Sequence, residues 1–263
     1  MLDDHTQNVQ RIYDLVADEY ATGCTFFQTV ARELVSAAKL PSGRVLDVAC
    51  GRGAIAEYLQ LNRSDLQVFA MDISWKMLAA NRAKQQGTWV RHQVNADAAR
   101  LPFQNEAFNA VTCSQALPFL RHPERALREF KRVTRPGGVV AVSTNGPLDP
   151  NLSWYADLIR EYSPAVSLVS RPLARRKDLR ELLESEGYSQ VQVGTLGVRV
   201  SFEDASAFWS FAMTTGMRAN LEGLAEEQLD ILHTEVEKGI ADMAARANGI
   251  YVSYKFHVAK GSV

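Results

Sequence analysis

Val45-Leu46-Asp47-Val48-Ala49-Cys50-Gly51-Arg52-Gly53-Ala54-Ile55-Ala56 passes from an apolar, β-branched run through a Gly-x-Gly loop into the start of a helix. A strand, loop and helix in that order let the backbone approach a ligand closely and aim helix amides at it, so the stretch reads as a nucleotide-type site. Asp72 follows the next strand, 25 residues after Asp47. That is near the spacing at which an acid in a doubly wound fold bonds ribose hydroxyls. Gly51-x-Gly53-x-x-Ala56 also satisfies the dinucleotide fingerprint, so an NAD-dependent oxidoreductase is the competing reading.

Outward from this unit, strand and helix alternate. Leu66 to Met71, Trp89 to Asn95, Phe108 to Ser114 and Gly138 to Thr144 read as strands. Ala54 to Leu61, Ser74 to Gln86 and Pro123 to Thr134 read as helices between them. Short connections in this rhythm predict a parallel sheet covered on both faces. Gln190 to Val200 and Ile250 to Ala259 alternate and are rich in Val and aromatics, which predicts two more strands as antiparallel edge neighbours. The expected fold is α/β, a Rossmann-like doubly wound seven-stranded sheet with strands one to five parallel and a final antiparallel edge pair.

Three segments stand outside the rhythm. Residues 1–40 show helical spacing with a break near Thr22-Gly23, and residues 147–176 and 202–247 are helical cap insertions, the first longer than ordinary connections. All three belong to one domain spanning residues 1–263. They are expected to form a lid that orders on binding and determines the acceptor.

The whole-chain numbers exclude several classes. Lys plus Arg (29) nearly balances Asp plus Glu (30), and the net charge of -1 offers no general attraction for nucleic acid or an anionic membrane. Cys24, Cys50 and Cys113 are odd in number and unpaired in spacing, against a disulfide framework or structural zinc. No apolar run reaches a membrane span and the opening residues carry no targeting pattern, so a cytoplasmic setting is expected. No metal-ligand cluster is apparent, and oligomeric state is left open.

Four ordered motifs sharpen the reading: Leu46 to Gly53, Met71-Asp72-Ile73-Ser74-Trp75-Lys76-Met77-Leu78, Ala96-Asp97-Ala98 with Leu101-Pro102-Phe103, and Arg132 to Gly138 with its Pro136-Gly137-Gly138 turn. Together they resemble the class I S-adenosylmethionine-dependent methyltransferases, most of all the group typified by ubiquinone and menaquinone biosynthesis enzymes. The resemblance covers roughly Tyr13 to Thr144. It implies that Asp47, Ala49, Gly51 and Gly53 surround the methionine end of S-adenosylmethionine and that Asp72 binds its ribose. Ile73 and Met77 would flank the adenine, Asp97 and the Ala98 backbone would meet its amino edge, and Ser114 and Gln115 would offer carbonyls to the ammonium. Tyr13 and Tyr20 match positions that close over the cofactor. The implied product is S-adenosylhomocysteine, with the methyl passing to a carbon, oxygen or nitrogen of a small-molecule acceptor. A relative using the cofactor as scaffold for a non-methylating reaction is a further alternative. Ala49 stands where many relatives have Gly, and Asn109 where the pattern has Asp.

The chemistry agrees without the analogy. A sulfonium with an amino-acid tail needs acceptors for its ammonium and ribose and a flat apolar slot for adenine. Asp47, Asp72 and Asp97 each follow a different strand. Each also has a structural reading: Asp47 as a loop cap, Asp97 as a turn former. Cys50 and Cys113 sit in apolar runs and read as packing residues. His5 and His122 are weak candidates for a base, His257 weaker still. Trp154, Tyr155, Arg171 and Trp209 are candidates for the acceptor site, with Phe208, Phe211, Arg175 and Arg176 nearby. Cap packing and a solvated basic cluster explain them as readily.

Overall fold

The computed structural model describes residues 2–20, 25–83, 92–163, 173–247 and 249–263. Two helices lead, α1 (Asp4–Val16) and α2 (Phe26–Ala38), followed by β1 (Gly43–Val48), α3 (Ala54–Asn62), β2 (Leu66–Asp72) and α4 (Trp75–Ala83). Then come β3 (His92–Asn95), β4 (Phe108–Ser114), α5 (Pro123–Val133) and β5 (Thr134–Asn145). The expected break at Thr22-Gly23, Cys24, the helix end at Gln86 and the strand start at Trp89 lie outside the described residues.

The sheet order is β3-β2-β1-β4-β5-β7-β6, where β6 is Ser189–Phe202 and β7 is Ile250–Ser262. Strands β1 to β5 are parallel, as expected from their unbroken apolar runs: Val45, Leu46 and Val48 are buried on both faces of the sheet. One face packs Leu46, Phe108, Phe130 and Leu182, the other Leu34, Ile55, Leu78 and Phe256. The last pair is antiparallel, and β7 lies between β5 and β6, antiparallel to both. Only β7 is therefore reversed.

Strand β5 begins at Thr134, ahead of the expected Gly138, because the Pro136-Gly137-Gly138 turn sits inside it as an irregularity between the pairings of Phe108 and Ala110. Asn109, on the same irregularity, accepts from the Arg44 amide at 2.9 Å near the start of β1, away from the ligand end of the sheet.

The β6–β7 ribbon outruns the sheet. Pairing of β5 with β7 ends at Asn145 with Phe256, while β6 and β7 stay paired to Phe202 with Ile250. The overhang is the scaffold of the caps. Between β5 and β6 lie α6 (Ser153–Tyr162) and α7 (Arg176–Ser185), and between β6 and β7 lie α8 (Ala205–Met213), a 3-10 turn at Gly216–Leu221 and α9 (Glu226–Ala247). Tyr155, Ile159, Phe208, Leu232, Val236, Ile240 and Val252 make a separate apolar core among α6, α8, α9 and the overhang. Helix α1 rests on this cap and on α4: Val9 and Ile12 pack with Ala219, Val16 with Met77, and Arg11 bonds Glu222 at 2.6 Å. No helix among the described residues is long and apolar enough to cross a membrane.

Candidate active site

Two carboxylates stand at the carboxyl ends of adjacent strands, where open α/β sheets bind ligands. Asp47, one residue before the end of β1, is 1 % exposed; one of its oxygens accepts from Thr112 Oγ1 at 2.9 Å and the other, Oδ2, has no hydrogen-bond partner. Burial pushes Asp47 up to about 7, against the Thr112 bond and with the Asp72 charge adding. Asp72 accepts from the Ser74 amide on Oδ1 and the Gly51 amide on Oδ2, both at 2.8 Å, and burial pushes it up to about 6 despite these bonds. Each oxygen of Asp72 keeps a lone pair for a further donor.

The loop between them is shaped by its backbone. Ala49, Gly51 and Gly53 all have positive φ, 53°, 53° and 87°. Glycine is required at Gly53, since a Cβ there would run into the Asn81 side chain, which is fixed by donating to Arg52 O at 2.8 Å. Ala49 adopts the left-handed conformation despite its Cβ, which costs about 1–2 kcal/mol. A glycine there would avoid this cost.

A cavity of about 470 Å³ opens on this loop, lined by Tyr13, Tyr20, Phe27, Asp47, Ala49, Gly51, Asp72, Ile73, Met77, Ser114, Gln115 and Phe119 among others. A smaller one of about 250 Å³ continues from it past Ala49 and Ile73 to Asp97, Ala98 and His122. Every expected cofactor residue except Gly53 lines one or both; Gly53 caps α3 immediately behind. Asp97 accepts from the Ala99 amide at 2.9 Å, so it forms a turn while also facing the cleft.

A third cavity, of about 460 Å³, adjoins the first and shares Tyr13, Tyr20, Phe27, Gln115 and Phe119 with it. Its far wall comes from the caps and the ribbon: Leu148, Leu152, Tyr155, Ile159, Phe211, Met217 and Tyr254. Of the residues named as acceptor candidates, Tyr155 lines this cavity. Trp154 and Trp209 do not: Trp154 lies over Gly239 of α9 in a separate groove, and Trp209 stacks on His233 at 4.7 Å. Both are held by cap packing, the competing reading for aromatics at helical spacing. Phe208 is wholly buried in the cap core. Arg171 lies outside the described residues. Arg175 pairs with Asp178, and Arg176 donates to Val193 O.

None of the histidine candidates lines the third cavity. His5 Nε2 bonds Phe119 O at 2.9 Å, His122 faces Glu124 at the mouth of the smaller cavity, and His257 uses both ring nitrogens, on Thr195 Oγ1 and Ala174 O. Cys50 and Cys113 are buried, and burial pushes both thiols up, which leaves them inert packing groups. No group of three or more metal-ligating side chains occurs among the described residues.

The motifs did not disclose Asp14. Its Oδ1 accepts from Ser74 Oγ at 2.5 Å, while the Ser74 amide holds Asp72, so α1 is tied to the carboxylate pair through one serine. The walls Phe27, Phe119 and Met217 were likewise missed, because apolar residues at helical spacing carry no mark of which cavity they face; Phe211, named with the acceptor candidates, does line the third cavity.

Comparison with known proteins agrees with this geometry. A methyltransferase domain family matches residues 46–142. The demethylmenaquinone methyltransferase of Mycolicibacterium paratuberculosis is 32% identical over 186 residues, covering 67% of this chain and 76% of that protein. Among solved structures, the [4+2]-cyclase SpnF superposes with a TM-score of 0.59 at 22% identity, covering 98% of this chain and 96% of its own. The phosphoethanolamine N-methyltransferase 2 of Haemonchus contortus, solved with S-adenosylhomocysteine, gives 0.58 at 15% identity, covering 98% and 60%. The oxidoreductase alternative finds no support among them.

Proposed function

Because the chain belongs to the class I S-adenosylmethionine-dependent methyltransferases, we propose that it methylates a carbon, oxygen or nitrogen of a small-molecule acceptor seated in the aromatic cavity beside the Gly51 loop. The observation that carries this is the shared wall: Tyr13, Tyr20, Phe27, Gln115 and Phe119 border both cavities, so occupants of the two would be immediate neighbours.

The residues suit the cofactor. Asp47, which lines the main cavity, carries a buried oxygen without a partner, Oδ2, that calls for a donor on the ligand. Asp47 accepts from the ammonium, with the Ser114 and Gln115 backbone beside it. Asp72 accepts from the ribose hydroxyls, Ile73 and Met77 flank the adenine, and Asp97 with Ala98 meets its amino edge. A pyrophosphate would fare badly here, because the Gly51 amide is spent on Asp72 and two carboxylates border the loop.

S-adenosylmethionine supplies an electrophilic methyl on a sulfonium. The chain contributes alignment and exclusion of water. Burial and the Asp72 charge hold the Tyr13 phenol neutral, so it serves as a donor at the junction and not as a base. The N-terminal helices and both insertions act as the lid, since they supply Tyr13, Tyr20, Phe27, Tyr155, Phe211 and Met217 to the walls. The balanced charge and absence of a nucleic-acid-sized basic surplus fit a small acceptor in the cytoplasm.

The test is label transfer. With methyl-labelled S-adenosylmethionine and an organic extract of small molecules, label is expected in extractable product with matching S-adenosylhomocysteine, and Asp47→Asn is expected to lose it. Cofactor that binds but never loses its label in any extract would instead place the chain with the non-methylating users of the scaffold.

A further inference from the structure

Among the described residues, the amide of Gln115 is the one polar side chain bordering both main cavities that is not an aromatic hydroxyl. It is held by unusual means. Its backbone is left-handed, φ 59°, and its amide nitrogen donates to Ser143 O at 2.9 Å and Ser143 Oγ at 3.2 Å. Its side-chain Nε2 donates to the same Ser143 Oγ at 3.1 Å, and that hydroxyl also meets Ser114 Oγ at 2.8 Å. With Nε2 tied down, Oε1 is fixed, buried and without a partner. A strained backbone and an unspent buried acceptor at one residue are features that folding alone does not reward.

The rest of the third cavity narrows which donor suits Oε1. Among the described residues its lining contains no Asp or Glu and one charged residue, the exposed Lys255. Tyr155 OH, on the cap side, is a second buried polar atom without a partner. Between these two lie aromatic rings and aliphatic side chains. A cationic amine would find no counter-ion there.

The geometry points to Gln115 Oε1 as the group that selects and orients the methyl acceptor, an uncharged, flat, largely apolar molecule presenting a hydroxyl hydrogen. This rests on the reading of the third cavity as the acceptor site. Ser143 is the positioning residue: it touches no acceptor and acts by fixing the Gln115 amide. A hydroxyl at Oε1 is satisfied as donor, whereas its methyl ether leaves Oε1 buried and unpaired, the arrangement by which sites built for a hydroxyl reject analogues lacking it.

The experiment uses the full chain saturated with S-adenosylhomocysteine and three probes, 2-naphthol, 2-methoxynaphthalene and 2-naphthylmethylamine, titrated by calorimetry. The naphthol is expected to bind at least ~10-fold tighter than the ether, the scale of a lost hydrogen bond to a buried group, and tighter than the amine. Gln115→Leu is expected to bring the naphthol-to-ether ratio to about 1; Gln115→Glu, which keeps an acceptor, is expected to retain a preference. Ser143→Ala should reduce the ratio through the loosened amide. A wild-type ratio near 1, or tighter binding of the amine, overturns the proposal even if a variant fails to fold. So does a Gln115→Leu that loses S-adenosylhomocysteine while keeping the ratio, which would assign Oε1 to the ammonium. Failure of S-adenosylhomocysteine to bind wild type would strike the functional reading itself.

Discussion

Asp72→Ala is expected to weaken S-adenosylhomocysteine binding by ~100-fold or more. Hydrogen bonds to a charged acceptor contribute about 1.5–3 kcal/mol each, and about 1.4 kcal/mol is a factor of ten in affinity, so losing the carboxylate from two ribose hydroxyls suffices. The alanine also strands the Gly51 and Ser74 amides that Asp72 now accepts from, and so loosens the loop bearing the rest of the site. Asp72→Asn is the milder change: it keeps the volume and one acceptor, so one of the two amides is still met, and about a 10-fold loss is expected from the missing charge and the one stranded amide. Calorimetry reads the affinity, and melting of the ligand-free variants reports whether the loop has been lost. Unchanged affinity in Asp72→Asn would remove the ribose from this carboxylate.

The second large effect is of pH, and its sign differs between the free and bound protein. Asp47 and Asp72 sit near 7 and 6, both above the ordinary carboxylate value of 3.8, because burial penalises their charge. A carboxyl whose pKa is raised on folding contributes stability that is fully present below the unfolded value and lost as pH rises through the folded one. Ligand-free protein is therefore expected to melt at a higher temperature at pH 5 than at pH 8. Cofactor binding runs the other way, since an ammonium needs Asp47 ionised. With Asp47 titrating near 7, S-adenosylhomocysteine affinity at pH 5.5 is expected to be about 30-fold below its plateau at high pH. Asp47→Asn should bind weakly and lose most of this dependence, while melting at or above wild type. An affinity flat between pH 5.5 and 8 in wild type would show that Asp47 does not hold the ammonium.

The strands that build this site were legible because a parallel sheet imposes a strong pattern: buried β-branched runs such as Arg44 to Ala49 and Phe108 to Ser114 ending in polar or glycine residues. Most residues expected to hold the cofactor were legible for the same reason, since they lie at or just beyond strand ends, as Asp47 and Asp72 do, and all but Gly53 line the cleft. What lay beyond was set by long-range packing. Nothing local in Ile250 to Ser262 states that it slots between β5 and β6, because alternation reports a half-buried strand without naming its neighbours. Trp154 and Tyr155 are adjacent, yet only Tyr155 faces the third cavity; one residue is about 100° of helix rotation, and the direction of α6 against α9 decides which side is which. Asp14 reaches Ser74 across 60 residues, a contact with no periodic signature.

Titration of the wild-type protein at pH 7.5 with S-adenosylhomocysteine and, separately, with NAD tests the central claim most directly. The two carboxylates and the spent Gly51 amide predict micromolar binding of S-adenosylhomocysteine and no detectable binding of NAD. Binding of NAD with silence toward S-adenosylhomocysteine would contradict the account, and would make the Gly51-x-Gly53 loop a dinucleotide site.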